Sequence, residues 1–133
     1  MNKRPHELLA EVHLPPPGGS QATYHKLRRR GAFDFPVLGV AAVVQITKSG
    51  AVEKARIVLG GVAPSPVEVK EADAPLEGRQ FDQEGIAAAA EACYLKARPL
   101  DNTDFVMGCR KQMARPFALR ALEELRERWE LKG

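Results

Sequence analysis

The apolar residues of this chain change period once, and the order of that change limits the folds open to it. Residues 37–47 are a nearly continuous apolar run rich in β-branched side chains, too short and too interrupted by glycine for a helix, which favours a buried strand. Lys48, Ser49, Gly50 and Ala51 supply hairpin chemistry. Residues 52–62 then set Ala55, Ile57 and Leu59 against Lys54 and Arg56, the alternation of a half-buried antiparallel strand, before Gly60, Gly61, Pro64 and Pro66 close it. Beyond this point the period lengthens to about 3.6. Asp82 is the expected N-cap of a helix running to Ala97, with Ile86, Ala89, Ala90 and Cys93 on one side and Arg98-Pro99 ending it; a weaker helical turn is expected over residues 71–76. Thr103 or Asp104 opens the longest helix. In it Phe105, Cys109, Met113, Phe117, Ala121, Leu125 and Trp129 recur at steps of four and predict a buried stripe. Arg110, Lys111, Glu123, Glu124, Arg126, Glu127 and Arg128 fall on the expected solvent face, and Pro116 is expected to kink the helix. Strands first and helices second predict an α+β domain, an antiparallel sheet of three to four strands followed by two to three helices packed on one face.

Ahead of this pattern, Leu8, Leu9, Val12 and Leu14 predict a short strand that runs into a loop at Pro15-Pro16-Pro17-Gly18-Gly19. Residues 21–30 predict another strand, carrying Tyr24 and the run Lys26-Leu27-Arg28-Arg29-Arg30. At 133 residues, with 44% hydrophobic and 28% charged residues, the chain suits one globular domain. No stretch approaches the roughly 20 apolar residues of a membrane span, and charges occupy the start where a signal peptide needs an apolar run, so a cytoplasmic location is expected. Cys93 and Cys109 lie apart from each other and from His6, His13 and His25, which excludes zinc and iron–sulfur spacings and leaves free thiols.

The net charge of +3 comes mostly from residues 26–30. That run lacks interleaved aromatic residues and a helix-turn-helix or finger pattern, which argues against nucleic acid. No nucleophile elbow is present, and the paired Glu123 and Glu124 fit a solvated helix face. Gly60-Gly61 precedes no helix N-terminus and so lacks the setting of a phosphate loop. The residues by themselves describe an α+β domain with one basic edge.

Three segments take the reading further. Tyr24-His25-Lys26-Leu27-Arg28-Arg29-Arg30-Gly31-Ala32-Phe33-Asp34-Phe35 resembles the strand and turn that open the C-terminal domain of the FAD-carrying medium subunit of molybdenum hydroxylases, the xanthine dehydrogenase, carbon monoxide dehydrogenase and 4-hydroxybenzoyl-CoA reductase type. Ala55-Arg56-Ile57-Val58-Leu59-Gly60-Gly61-Val62-Ala63-Pro64-Ser65-Pro66 is similar to that domain's second hairpin strand and its exit. Arg98-Pro99-Leu100-Asp101-Asn102-Thr103-Asp104-Phe105, with Arg110-Lys111 and Leu119-Arg120-Ala121-Leu122, is similar to its final helix, although Cys109 stands where an aromatic is common and Pro116 where the family helix is uninterrupted. Residues 7–16 resemble the last strand of the preceding FAD domain. The resemblance therefore implies that residues 1–20 are the end of that domain and a linker, and residues 21–133 the flavoprotein C-terminal domain.

In such enzymes electrons pass from substrate at molybdenum through iron–sulfur clusters to FAD and on to an acceptor. The resemblance implies a domain inactive alone, with FAD held mainly by domains absent from this chain. The implied partners are an FAD-binding domain or subunit, a molybdenum-cofactor large subunit and an iron–sulfur small subunit. It implies that Lys26 approaches the flavin, where a cation stabilises negative charge on the reduced ring, and that the turn from Arg30 to Asp34 lines the acceptor entrance, with Tyr24 and Arg28 on the same surface. Two other readings stay open: a basic strand that guards a solvated sheet edge, and a stand-alone interaction or regulatory module that reuses the domain without flavin.

Overall fold

The computed structural model describes residues 4–31, 34–101 and 106–131. Four antiparallel strands, β1 (Gln21–Leu27), β2 (Leu38–Ile46), β3 (Val52–Gly60) and the two-residue β4 (Val67–Glu68), form one sheet in sequence order. A 3-10 turn (Lys70–Ala72) leads to α1 (Gln83–Lys96) and α2 (Met107–Glu130). The α+β architecture, the hairpin and the Asp82 cap are those expected from the sequence; the Asp82 carboxylate accepts from the Gly85 N–H at 2.8 Å. Among the described residues no helix is long and apolar enough to cross a membrane.

The β2–β3 hairpin turns at Gly50, whose φ of +86° suits a residue without a Cβ. Val44 pairs with Ala55 and Gln45 with Lys54, but Ile46 pairs with Val52. Glu53 is thus the extra residue of a bulge, and Val52 rejoins Ala55, Ile57 and Leu59 on the buried face. Opposite them Leu38, Val40, Ala42 and Val44 complete the sheet's contribution to the core. α2 covers this face against β1 and β2, and α1 packs beside α2 and against the 3-10 turn. Ala89, Ala90, Ala114, Ala118 and Ala121 are buried in the helical layer, and their small side chains let the elements approach closely.

Two expectations need correction. Residues 7–17 form no strand, and Leu8 and Leu14 are 93% and 84% exposed; three consecutive prolines supply no N–H to a ladder, and among the described residues this segment is paired with no strand. The stripe at steps of four holds only in part, because four residues advance a helix about 40° beyond a full turn and the six steps between the seven residues carry them about 240° around it. Phe117, Ala121 and Leu125 of that stripe are buried, joined by Arg110, Ala114, Ala118 and Leu122 at spacings of threes and fours, while Cys109 is exposed. The helix runs unbroken through Pro116. The expected start at Thr103 or Asp104, with Phe105, lies outside the described residues.

Candidate functional site

Alternation along β1 gives its two faces different surroundings. Thr23, His25 and Leu27 turn toward α2: the Thr23 hydroxyl donates to Glu124 Oε2 at 2.8 Å, and His25 Nε2 lies 2.6 Å from the same oxygen. Ala22, Tyr24 and Lys26 turn to the face without helices. Tyr24 is 60% exposed and its ring lies across Gly39, where a Cβ would come within 2.8 Å of the phenol oxygen. A side chain at Gly39 would displace the ring. Gly39 pairs with both Lys26 and Gly60 and is buried beneath the Tyr24 ring, which covers the sheet beside the lysine.

Lys26 is half-buried, and its ammonium donates to the backbone carbonyl of Asp34 at 2.6 Å. The Asp34 carboxylate has partners of its own. Its Oδ2 accepts from the N–H groups of Arg29 and Arg30, each at 3.0 Å, and its Oδ1 lies 3.7 Å from the Arg30 guanidinium. The Arg30 N–H is the largest influence holding the Asp34 carboxyl below the usual carboxylate range, partly opposed by desolvation, with the Arg29 N–H, the Arg30 charge and the Phe35 N–H adding to it. Asp34 therefore builds the turn. Lys26, Arg28, Arg30, Asp34 and Phe35 line a cavity of about 320 Å³, and Phe35 is 87% exposed. Four of the five residues singled out in the sequence meet at this cavity; Tyr24 lies on the neighbouring sheet face instead. Ala32 and Phe33, within the same turn, lie outside the described residues.

Two contributions escaped the sequence reading. Glu124 is not simply solvated: besides Thr23 and His25 it meets Arg128, and these partners, His25 first, hold its carboxyl below the usual range. Arg110, expected on the solvent face, is 2% exposed and donates to backbone carbonyls. The available signal was its phase, four residues before Ala114 and seven before Phe117.

The order of sheet and helices described above is shared with known proteins. Over 101 residues the chain is 36% identical to the aldehyde oxidoreductase FAD-binding subunit PaoB of Escherichia coli, covering 76% of this chain and 28% of that one. Over 118 residues it is 30% identical to the carbon monoxide dehydrogenase medium chain of Hydrogenophaga pseudoflava, covering 87% and 40%. The reconstituted CO dehydrogenase from Oligotropha carboxidovorans has a chain that superposes with a TM-score of 0.76 at 27% identity, over 85% of this chain and 39% of that one. The chain thus spans less than half the length of these relatives. The sequence profile of one family matches residues 22–125, from the first residues of β1 to the last buried leucine of α2, and by that match the chain belongs to the CO dehydrogenase flavoprotein C-terminal domain family.

Proposed function

We propose that this chain forms one wall of the flavin site in the medium subunit of a molybdenum hydroxylase, with Lys26 facing the flavin and Arg28 and Arg30 bordering the approach of an electron acceptor. One observation carries the reading: the Lys26 ammonium is held by the Asp34 carbonyl at the wall of a cavity whose size is at the low end of the roughly 300–1,000 Å³ usual for small-molecule sites. The residues present suit a flat ring system that takes up negative charge. Phe35 offers an aromatic surface, Lys26 and two arginines offer cations, and the Asp34 carboxylate is occupied by the backbone N–H groups of Arg29 and Arg30.

When bound, FAD would supply the store through which electrons from iron–sulfur clusters reach the acceptor. This chain's own part is to orient a cation and to shape the rim. No glycine-rich loop here leads into a helix N-terminus, so most of the FAD contact is assigned to domains ahead of residue 21, with residues 1–20 as the end of such a domain and its linker. A length of 28–40% of the curated relatives supports that division. The molybdenum and iron–sulfur subunits are the further partners, activity of the chain alone is not expected, and a cytoplasmic location belongs to the same reading.

The test is reconstitution with the flavin-holding domains and the substitution Lys26→Met. Loss of the cation should lower the flavin midpoint potential by about 30–60 mV, equivalent to about 1.4–2.8 kcal/mol for two electrons, and slow reduction of the acceptor. An unchanged potential together with unchanged acceptor kinetics refutes the assignment.

A further inference from the structure

Arg110 stands in the first turn of α2, on the far side of the sheet edge from the cavity, and is almost fully enclosed. Its guanidinium donates to the carbonyls of Val37 (Nε, 3.3 Å), Leu100 (Nη1, 2.8 Å) and Gly61 (Nη2). These carbonyls belong to three separate connections: the end of the turn between β1 and β2, the segment between α1 and α2, and the exit from β3. A planar guanidinium with five N–H donors in fixed directions can serve several acceptors at once, which the single ammonium of lysine cannot match at the same positions.

Gly61 grips the same place from another side. Its φ is +77°, and a Cβ on it would come within 3.1 Å of the Pro36 carbonyl oxygen and 3.2 Å of the Val37 carbonyl oxygen. The Val37 N–H in turn donates to the Leu27 carbonyl at 2.9 Å. The backbone on both sides of Val37 is therefore fixed, its N–H by β1, its carbonyl by α2, and the Pro36 and Val37 carbonyls by the β3 exit. Only two residues earlier stands the Asp34 carbonyl that receives the Lys26 ammonium.

We infer that Arg110 is a positioning residue: by anchoring Val37 it sets the Asp34 carbonyl and, through it, the place of the Lys26 ammonium on the cavity wall. The consequence for the flavin rests on the reading of Lys26 given above. The path runs from a buried cation through the backbone between Val37 and Asp34 to an ammonium at the cavity wall, and it links the helical layer to the sheet's open face.

Amide hydrogen exchange of the full chain with Arg110→Lys tests the anchoring without any cofactor. Exchange at Asp34, Phe35 and Val37 should rise about tenfold or more, with amides of β3 and α1 keeping their rates, since only a local opening becomes easier. Exchange unchanged at these three amides, or raised uniformly along the chain with a lower melting temperature, overturns the inference. Gly61→Ala supplies a second route should Arg110→Lys fold poorly: it crowds the same peptide and should give the same local pattern, and its absence also overturns the inference. In the enzyme reconstituted with flavin-holding domains, Arg110→Lys should shift the flavin potential in the direction of Lys26→Met, and the double variant should shift it no further than Lys26→Met alone. Additive shifts overturn the coupling through Lys26. A local rise in exchange with a Lys26→Met variant that leaves the potential unmoved supports the anchoring and ends the flavin reading, so the two failures are distinguishable.

Discussion

At the scale of single residues, Asp34 shows how a carboxylate on a cavity wall can be taken up by the turn that carries it. Both of its backbone partners come from the turn it closes, and its carboxyl is held below the ordinary aspartate value of 3.8 chiefly by the Arg30 N–H. A carboxyl whose folded value is depressed stabilises the fold above its unfolded value and loses that contribution as pH falls through the folded value. The Arg29 and Arg30 amides should therefore stay protected above pH 3.8 and lose protection progressively below it. Hydrogen exchange against pH checks this, and Asp34→Asn should remove the acid-dependent step. The basic run was legible because lysine and arginine on an otherwise apolar strand stand out. The function of Asp34 as the closure of the turn was not, since a sequence gives an aspartate no direction.

At the scale of elements, the helical layer depends on small residues where it is most crowded. Ala118 has no exposed surface, and Ala118→Leu should cost about 1–3 kcal/mol by overpacking. Leu122 is equally buried, and Leu122→Ala should cost about 2–5 kcal/mol by leaving a cavity. Urea titration of each variant against the parent chain measures both. The boundaries of β2, β3 and α1 were readable because strand alternation, a hairpin glycine and an aspartate cap act within a few residues. The face of α2 was harder to read. Its step-of-four pattern drifts about 40° per repeat, and Arg110 was placed outside because a lone arginine on a helix is ordinarily solvated, whereas here backbone carbonyls from three connections replace the water.

At the scale of the whole molecule, one face of the sheet carries the core, while the other, free of helices, carries Tyr24, Lys26, Val43, Gln45, Lys54 and Arg56. Residues 7–17 run outside this body, and Pro15, Pro16 and Pro17 border a cavity of about 600 Å³ on the open face. Removing residues 1–17 should move the melting temperature by less than about 2 °C, because little apolar area is uncovered, and a calorimetric scan would show it. Alternation alone did not distinguish this arm from a strand, for pairing depends on a partner, and the three prolines were the one sign against it.

The division of labour along β1 has a consequence for how this segment can vary. Residues with odd numbers meet the helix and residues with even numbers meet the open side. Loss or gain of a single amino acid between Ala22 and Lys26 would swap those assignments for every position on one side of the lesion, sending an amine toward α2 and an imidazole outward. An indel of two keeps each side chain on its own side and merely slides it by one pair. Length variation in this strand among functional relatives should accordingly be confined to multiples of two.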